Sequence, residues 1–122
     1  MKKVKIIIAL VATILFTVSI LASAADLSKE NKELIAKLSS EKHEVRLEAA
    51  QKLGDNKCRE AIDSLVKILK SDKQVSARII AAHALYKIGD KKVLPVFKEQ
   101  LKVDKNQTVK TVLEGIIKKM ES

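Results

Sequence analysis

The chain has no tryptophan, one cysteine, one proline and three glycines in 122 residues, and aromatic side chains make up 2% of it. Each scarcity removes a class of function. Proteins that read nucleic acid by stacking bases need aromatic platforms or a dense basic stripe, and this chain has neither, so no nucleic acid is expected as a partner. A single cysteine, Cys58, cannot form an internal disulfide or a Cys-x-x-Cys pair. Two histidines, His43 and His83, fall short of the three or four protein ligands zinc takes, and no His-x-x-x-His spacing occurs. There is no Gly-rich phosphate loop and no Gly-x-Ser-x-Gly elbow. No metal and no cofactor are therefore expected. So few glycines also leave little of the loop structure on which active sites are usually built, which points away from an enzyme.

What is present begins with the N-terminus. "MKKVK" is basic, and "IIIALVATILFTVSILASAA" follows with no charge until Asp26. Ala22 and Ala24 supply the small residues that precede a signal-peptidase cut, placing cleavage before Ala25. Residues 1–24 read as a signal peptide, or as an uncleaved membrane anchor, because the apolar run approaches the roughly 20 residues that span a bilayer. Lys2, Lys3 and Lys5 hold this end on the cytoplasmic side in either case. Residues 25–122 are expected outside the cytoplasm, periplasmic or secreted. Loss of those three lysines takes the net charge from +9 to +6, since all fifteen acids remain. The excess is mild and spread out, and suits acidic lipid head groups or an acidic protein better than nucleic acid.

The body of the chain repeats itself. "VRLEAAQKLGD" at 45–55 returns thirty-two residues later as "ARIIAAHALYK" at 77–87, and "AIDSLVKILKSD" at 61–72 is answered by "VLPVFKEQLKVD" at 93–104. "VKTVLEGIIKKM" at 109–120 is a third, partial copy, and Leu34, Ile35 and Leu38 belong to a half copy before the first. A fixed period of this size marks a stacked solenoid. Each copy reads as two helices. Apolar residues at 45, 49, 50 and 53, and at 77, 81, 84, 85 and 88, stripe the first; Ala61, Ile62, Leu65, Val66 and Leu69, matched by Val93, Leu94, Phe97 and Leu101, stripe the second. Gly54 and Gly89 are expected to end the first helices in a left-handed turn. Pro95 belongs in a first turn, where its missing N–H costs nothing. No segment has the period of two of a strand. The fold class is all-α: a short α-solenoid of antiparallel helix pairs, with one-sided terminal helices acting as caps.

"EVRLEAAQKLGD", "ARIIAAHALYKIGDKKVLPVF" and the recurring "KSD" and "KVD" resemble HEAT repeats, of the phycobilisome-lyase type, over about residues 30–120. Lys52 stands where the pattern has a small residue, and the third copy lacks the arginine. The resemblance implies a right-handed superhelix that binds protein on one face, usually the concave side lined by second helices. It also brings in bilin lyases and their relatives, which keeps an enzyme or lyase-related accessory role as an alternative.

Asp72 and Asp104 precede Arg78 and Lys110 by six residues, and Glu41 precedes Arg46 by five. An acid at the turn and a base one turn into the next helix are expected to pair, and the pairs to form a ladder. Repetition in every unit makes this structural, because a catalytic centre is needed once. Cys58 falls on the apolar side of its helix, as a buried thiol or as a partner's mixed disulfide. The helix around 74–88 carries Ile79, Ile80 and Tyr86 off its core stripe, with His83 exposed opposite it; these are extra packing or a contact patch. Lys67, Lys70, Lys98 and Lys102 lie off the stripe of the second helices, as solvated lysines or as a surface for an acidic partner. The function expected is an exported, non-enzymatic protein-binding scaffold or adaptor; a surface protein held by the uncleaved N-terminal helix is the membrane-bound version.

Overall fold

The computed structural model describes residues 24–122, and every regular element among them is helical. Residues 1–23, which include Ala22 and all but the last residue of the expected leader, lie outside the described residues; Ala24 and Ala25 are helical and exposed. No helix among the described residues is long and apolar enough to cross a membrane. Glu33–Ser122 form a compact unit of their own.

Six helices follow in order, and their register reproduces the sequence repeat. Helix α1 covers residues 24–37 and contributes Leu34 to the core of that unit, with Leu38 just beyond its end. Helix α2 is His43–Asp55, α3 is Ile62–Ser71, α4 is Val75–Ile88, α5 is Leu94–Val103 and α6 is Gln107–Glu121. Short 3₁₀ turns, Arg59–Ala61 and Lys91–Val93, introduce α3 and α5. Thus α2, α4 and α6 are first helices of successive units, α3 and α5 are second helices, and α1 stands in second-helix register. α3 packs on α4 and α5 on α6 through connections of three residues, which forces each pair antiparallel. Their apolar stripes meet in one core, where Leu53, Leu65, Leu69, Leu85, Phe97 and Leu113 are fully buried.

Local chemistry fixes the turns. Asp72, Asp90 and Asp104 each accept, through Oδ1, the backbone N–H two residues on, from Gln74, Lys92 and Asn106 at 3.0 Å. This side-chain mimic of a turn stops one helix and launches the next. Asn106 Oδ1 accepts from the N–H groups of Thr108 and Val109 and so caps α6. Pro95 sits in the first turn of α5, as its chemistry demands.

The two helix-ending glycines do different work. Gly89 is left-handed, φ 77°, and its N–H bonds to Leu85 O, closing α4 in the expected way. Gly54 is not its counterpart: it lies inside α2 and is buried. The residue in register with Gly89 is Lys57, at φ 50°. There the N–H of Lys57 bonds Gly54 O and that of Cys58 bonds Leu53 O, a Schellman closure. The closure folds Cys58 back toward Leu53 in the core, so the thiol is buried ahead of α3 rather than on it.

Gly54 is needed for closeness. A Cβ built on it would lie 2.7 Å from Ala84 Cα and 3.0 Å from Ala84 Cβ. Main chain against main chain is what lets α2 and α4 approach. One unit later the same register holds Tyr86 and Ile116, and α6 packs on α4 less closely.

Gly54→Ala is expected to lower stability by about 1–3 kcal/mol, since the atom it would meet, Ala84 Cα, is backbone and α4 must shift. Lys57→Gly removes a left-handed penalty of about 1 kcal/mol and adds unfolded-chain entropy, for a net gain of about 0.5 kcal/mol. Urea midpoints of the two variants should move in opposite directions.

Candidate functional site

Arginine and aspartate do form a ladder, but not in the expected register. The expectation placed Asp72 with Arg78, six residues apart. Instead Arg46 Nε and Nη2 donate to Asp72 Oδ2 and Oδ1 at 2.9 and 3.2 Å, and Arg78 Nε and Nη2 donate to Asp104 Oδ2 and Oδ1 at 3.0 and 3.2 Å. Each pair spans 26 residues, less than the repeat, and joins the first helix of a unit to the turn that ends its second helix. The preceding turn contributes its main chain: Arg78 Nη1 donates to Asp72 O at 2.8 Å, and Arg46 Nη1 to Ser40 O and Glu41 O at 2.9 and 3.1 Å. The reason is that each aspartate carboxylate already turns forward onto its own turn N–H. It faces the arginine of its own unit, and only its carbonyl is left for the arginine of the unit that follows. Lys110, the third base in register, has no carboxylate partner among the described residues.

The second pair is the drier one. Side-chain exposure is 14% for Arg78 and 2% for Asp104, against 17% and 7% for Arg46 and Asp72. Gln100, itself buried, adds a bond from Nε2 to Asp104 Oδ2 at 2.9 Å. Burial alone would raise both carboxyls. Hydrogen bonds from the arginine, from the turn N–H and, for Asp104, from Gln100 outweigh it, together with the arginine charge, and hold both below the usual carboxylate range. Sequence reasoning missed Gln100, although a signal existed: its counterpart one unit earlier is Ile68, so a polar side chain occupies a core position.

The second helices stand further apart than α2 and α4, and grooves open between them. One, about 390 Å³, is lined by Leu38, Ser39, Ser64, Lys67, Ile68, Ser71 and Asp72. The next, about 210 Å³, is lined by Lys70, Ser71, Asp72, Arg78, Gln100, Val103, Asp104 and Lys105. They share Ser71 and Asp72, so they are contiguous.

A model of HEAT repeats matches residues 31–117. The chain belongs to the HEAT repeat family. No curated protein matches it. Among solved structures, an epoxyqueuosine reductase crystallised with an epoxyqueuosine-modified tRNA-Tyr stem loop is similar over 64% of this chain, at 24% identity and a TM-score of 0.59. The match covers 21% of that protein, so the chain spans about a fifth of its length, and the likeness is one of fold.

Within this HEAT array the candidate residues separate. Lys67, Lys70 and Lys102 are exposed and carry no ion pair among the described residues, whereas Lys98 pairs with Glu121. Lys105, which the sequence reading passed over, lines the second groove beside Lys70. Its signal was the fourth residue of "KSDK" and "KVDK", where Lys73 and Lys105 recur in phase. Ile79 and Ile80 are half-buried and pack on the core, and Tyr86 is 37% exposed. His83 is exposed and joins Gln51, Ile80, Ala84 and Lys87 around a shallow groove of about 250 Å³ between α2 and α4.

Two other groups have nucleophile chemistry. Cys58 is buried, and burial, then the Glu60 carboxylate at 3.4 Å, push its thiol up, so it stays protonated at neutral pH. His43 Nε2 lies 3.1 Å from Ser76 Oγ, but Nδ1 is buried with no hydrogen-bond partner. An activated serine needs a base oriented through its other nitrogen, which this ring lacks. The contact ties the start of α2 to the start of α4. Among the described residues no group of three or more His, Cys, Asp or Glu could hold a metal ion.

Arg78→Ala leaves Asp104 buried and unpaired and is expected to cost about 3 kcal/mol, and Arg46→Ala about 2 kcal/mol, read as loss of denaturation midpoint. Because both aspartates are depressed in the folded state, their contribution is fully present above about pH 4 and is lost as pH falls below it. The acid limb of wild-type stability should be steep there, and shallower in Arg78→Ala.

Proposed function

We propose that this HEAT array is an exported, non-enzymatic scaffold that binds an acidic protein partner along its second helices. One observation carries the reading: two contiguous grooves between second helices are edged by Lys67, Lys70 and Lys105, and the aspartates inside them are already spent on Arg46 and Arg78. The uncompensated charge of that surface is positive. Affinity must come from groups that packing does not consume, and these lysines are such groups. The Ile80–His83 groove on the first-helix side offers a less charged second surface.

Export rests on the leader read from the sequence, and it places the partner in the cell envelope or outside. The native protein should have its N-terminus at Ala25 by mass spectrometry; a full-length chain in the membrane fraction would favour the anchored form. Capture from an envelope extract tests binding. Lys70→Glu with Lys102→Glu should lose the captured partner while keeping the wild-type melting temperature, and the interaction should weaken with salt, because exposed charges are screened within about 8 Å at physiological ionic strength. Loss only in Ile80→Asp would move the site to the first-helix side.

A further inference from the structure

We infer that the two contiguous grooves form one track for an extended acidic segment, with carboxylates about three residues apart and apolar side chains between them. This rests on the scaffold reading above and specifies its partner.

The charge inventory comes first. The second groove contains Asp72, Asp104, Arg78, Lys70 and Lys105. Asp72 accepts from Arg46 and the Gln74 N–H, and Asp104 from Arg78, Gln100 and the Asn106 N–H. All three polar edges of Arg78 are used, two on Asp104 and one on Asp72 O. Lys70 and Lys105 are the cations left over, and they come from adjacent units, so neither unit holds the site alone. The first groove has Lys67 in the same situation.

Shape and apolar surface come next. Val103 lines the second groove and is 59% exposed, where the register one unit earlier has Ser71. Leu38 and Ile68 line the first groove but are 5% and 7% exposed. The second groove thus combines lysines with an open apolar contact, which a carboxylate next to an apolar side chain would satisfy together, and the first offers Lys67 over a largely buried apolar wall. Neighbouring helices are spaced about 10 Å apart and an extended chain advances about 3.3 Å per residue, which sets the interval of about three residues between carboxylates. A folded acidic surface would meet the helix crests; only an extended chain follows the floor past Ser71.

The probe is a fluorescein-labelled synthetic peptide repeating Glu-Leu-Ser, titrated by anisotropy against the protein. A peptide of the same composition with its glutamates gathered at one end, and a single-stranded RNA of equal charge, are run beside it. The regular peptide should bind tighter than the clustered one. Lys67→Glu and Lys105→Glu should each weaken it about tenfold, and Val103→Ser less, with unchanged melting temperatures. Equal affinity for the two peptides, an unaffected Lys105→Glu variant, or RNA binding at least as tight as the regular peptide would each overturn the assignment. Loss of peptide binding with envelope capture intact overturns the track alone. Peptide binding with no partner captured by the wild type overturns the scaffold reading alone.

Discussion

Two mostly buried ion pairs hold each unit's second helix to its first, and the same arginines tie that unit to the turn before it. Arg46–Asp72 and Arg78–Asp104 each bind the first helix of a unit to the turn that ends its second helix, and each arginine also takes carbonyls from the turn that precedes its own helix. An arginine so placed reads three chain segments at once. Sliding one unit against the next would take those carbonyls from a guanidinium that is only 14–17% exposed, a cost of about 1–3 kcal/mol. Apolar stripes alone tolerate such sliding, because burial is non-directional. The ladder supplies the direction that the core lacks.

Helix spacing follows from side-chain size on either side of this ladder. On the first-helix side, Gly54 against Ala84 brings α2 and α4 together almost main chain to main chain. One unit on, where Tyr86 and Ile116 hold the same register, α6 packs on α4 less closely. On the other side α3 and α5 meet sparingly, and the space between them is the groove. The surface proposed to bind is therefore a by-product of stacking: tight first helices and loose second helices leave a floor made of ladder residues and walls made of lysines.

Most of the architecture was legible in the chain. The period of thirty-two residues, the helical stripes, Pro95 at a helix start and the recurring aspartates all act locally, over distances that sequence spacing measures. Gly54 was misread because two glycines near helix ends look alike in one dimension; only Gly89 has the left-handed φ, and Lys57 takes that conformation in the other copy. The ladder was recognised as a ladder and assigned the wrong rungs, since a separation of six residues and one of 26 cannot be told apart without knowing which way each carboxylate turns. Of the lysines, Lys98 was lost to Glu121 and Lys105 was gained.

The amino-acid sequence by itself determined the class of the protein: an all-helical array of HEAT repeats, poor in cysteine, histidine, aromatics and glycine. Those properties are compositional or periodic, and periodicity is a short-range physical signal. Tertiary structure alone decided which charges remain available. Neutralisation is a pairwise matter between side chains far apart in the chain, such as Arg46 and Asp72. Whether Asp104 answers Arg78 or Lys105 depends on distances that no spacing along the chain encodes.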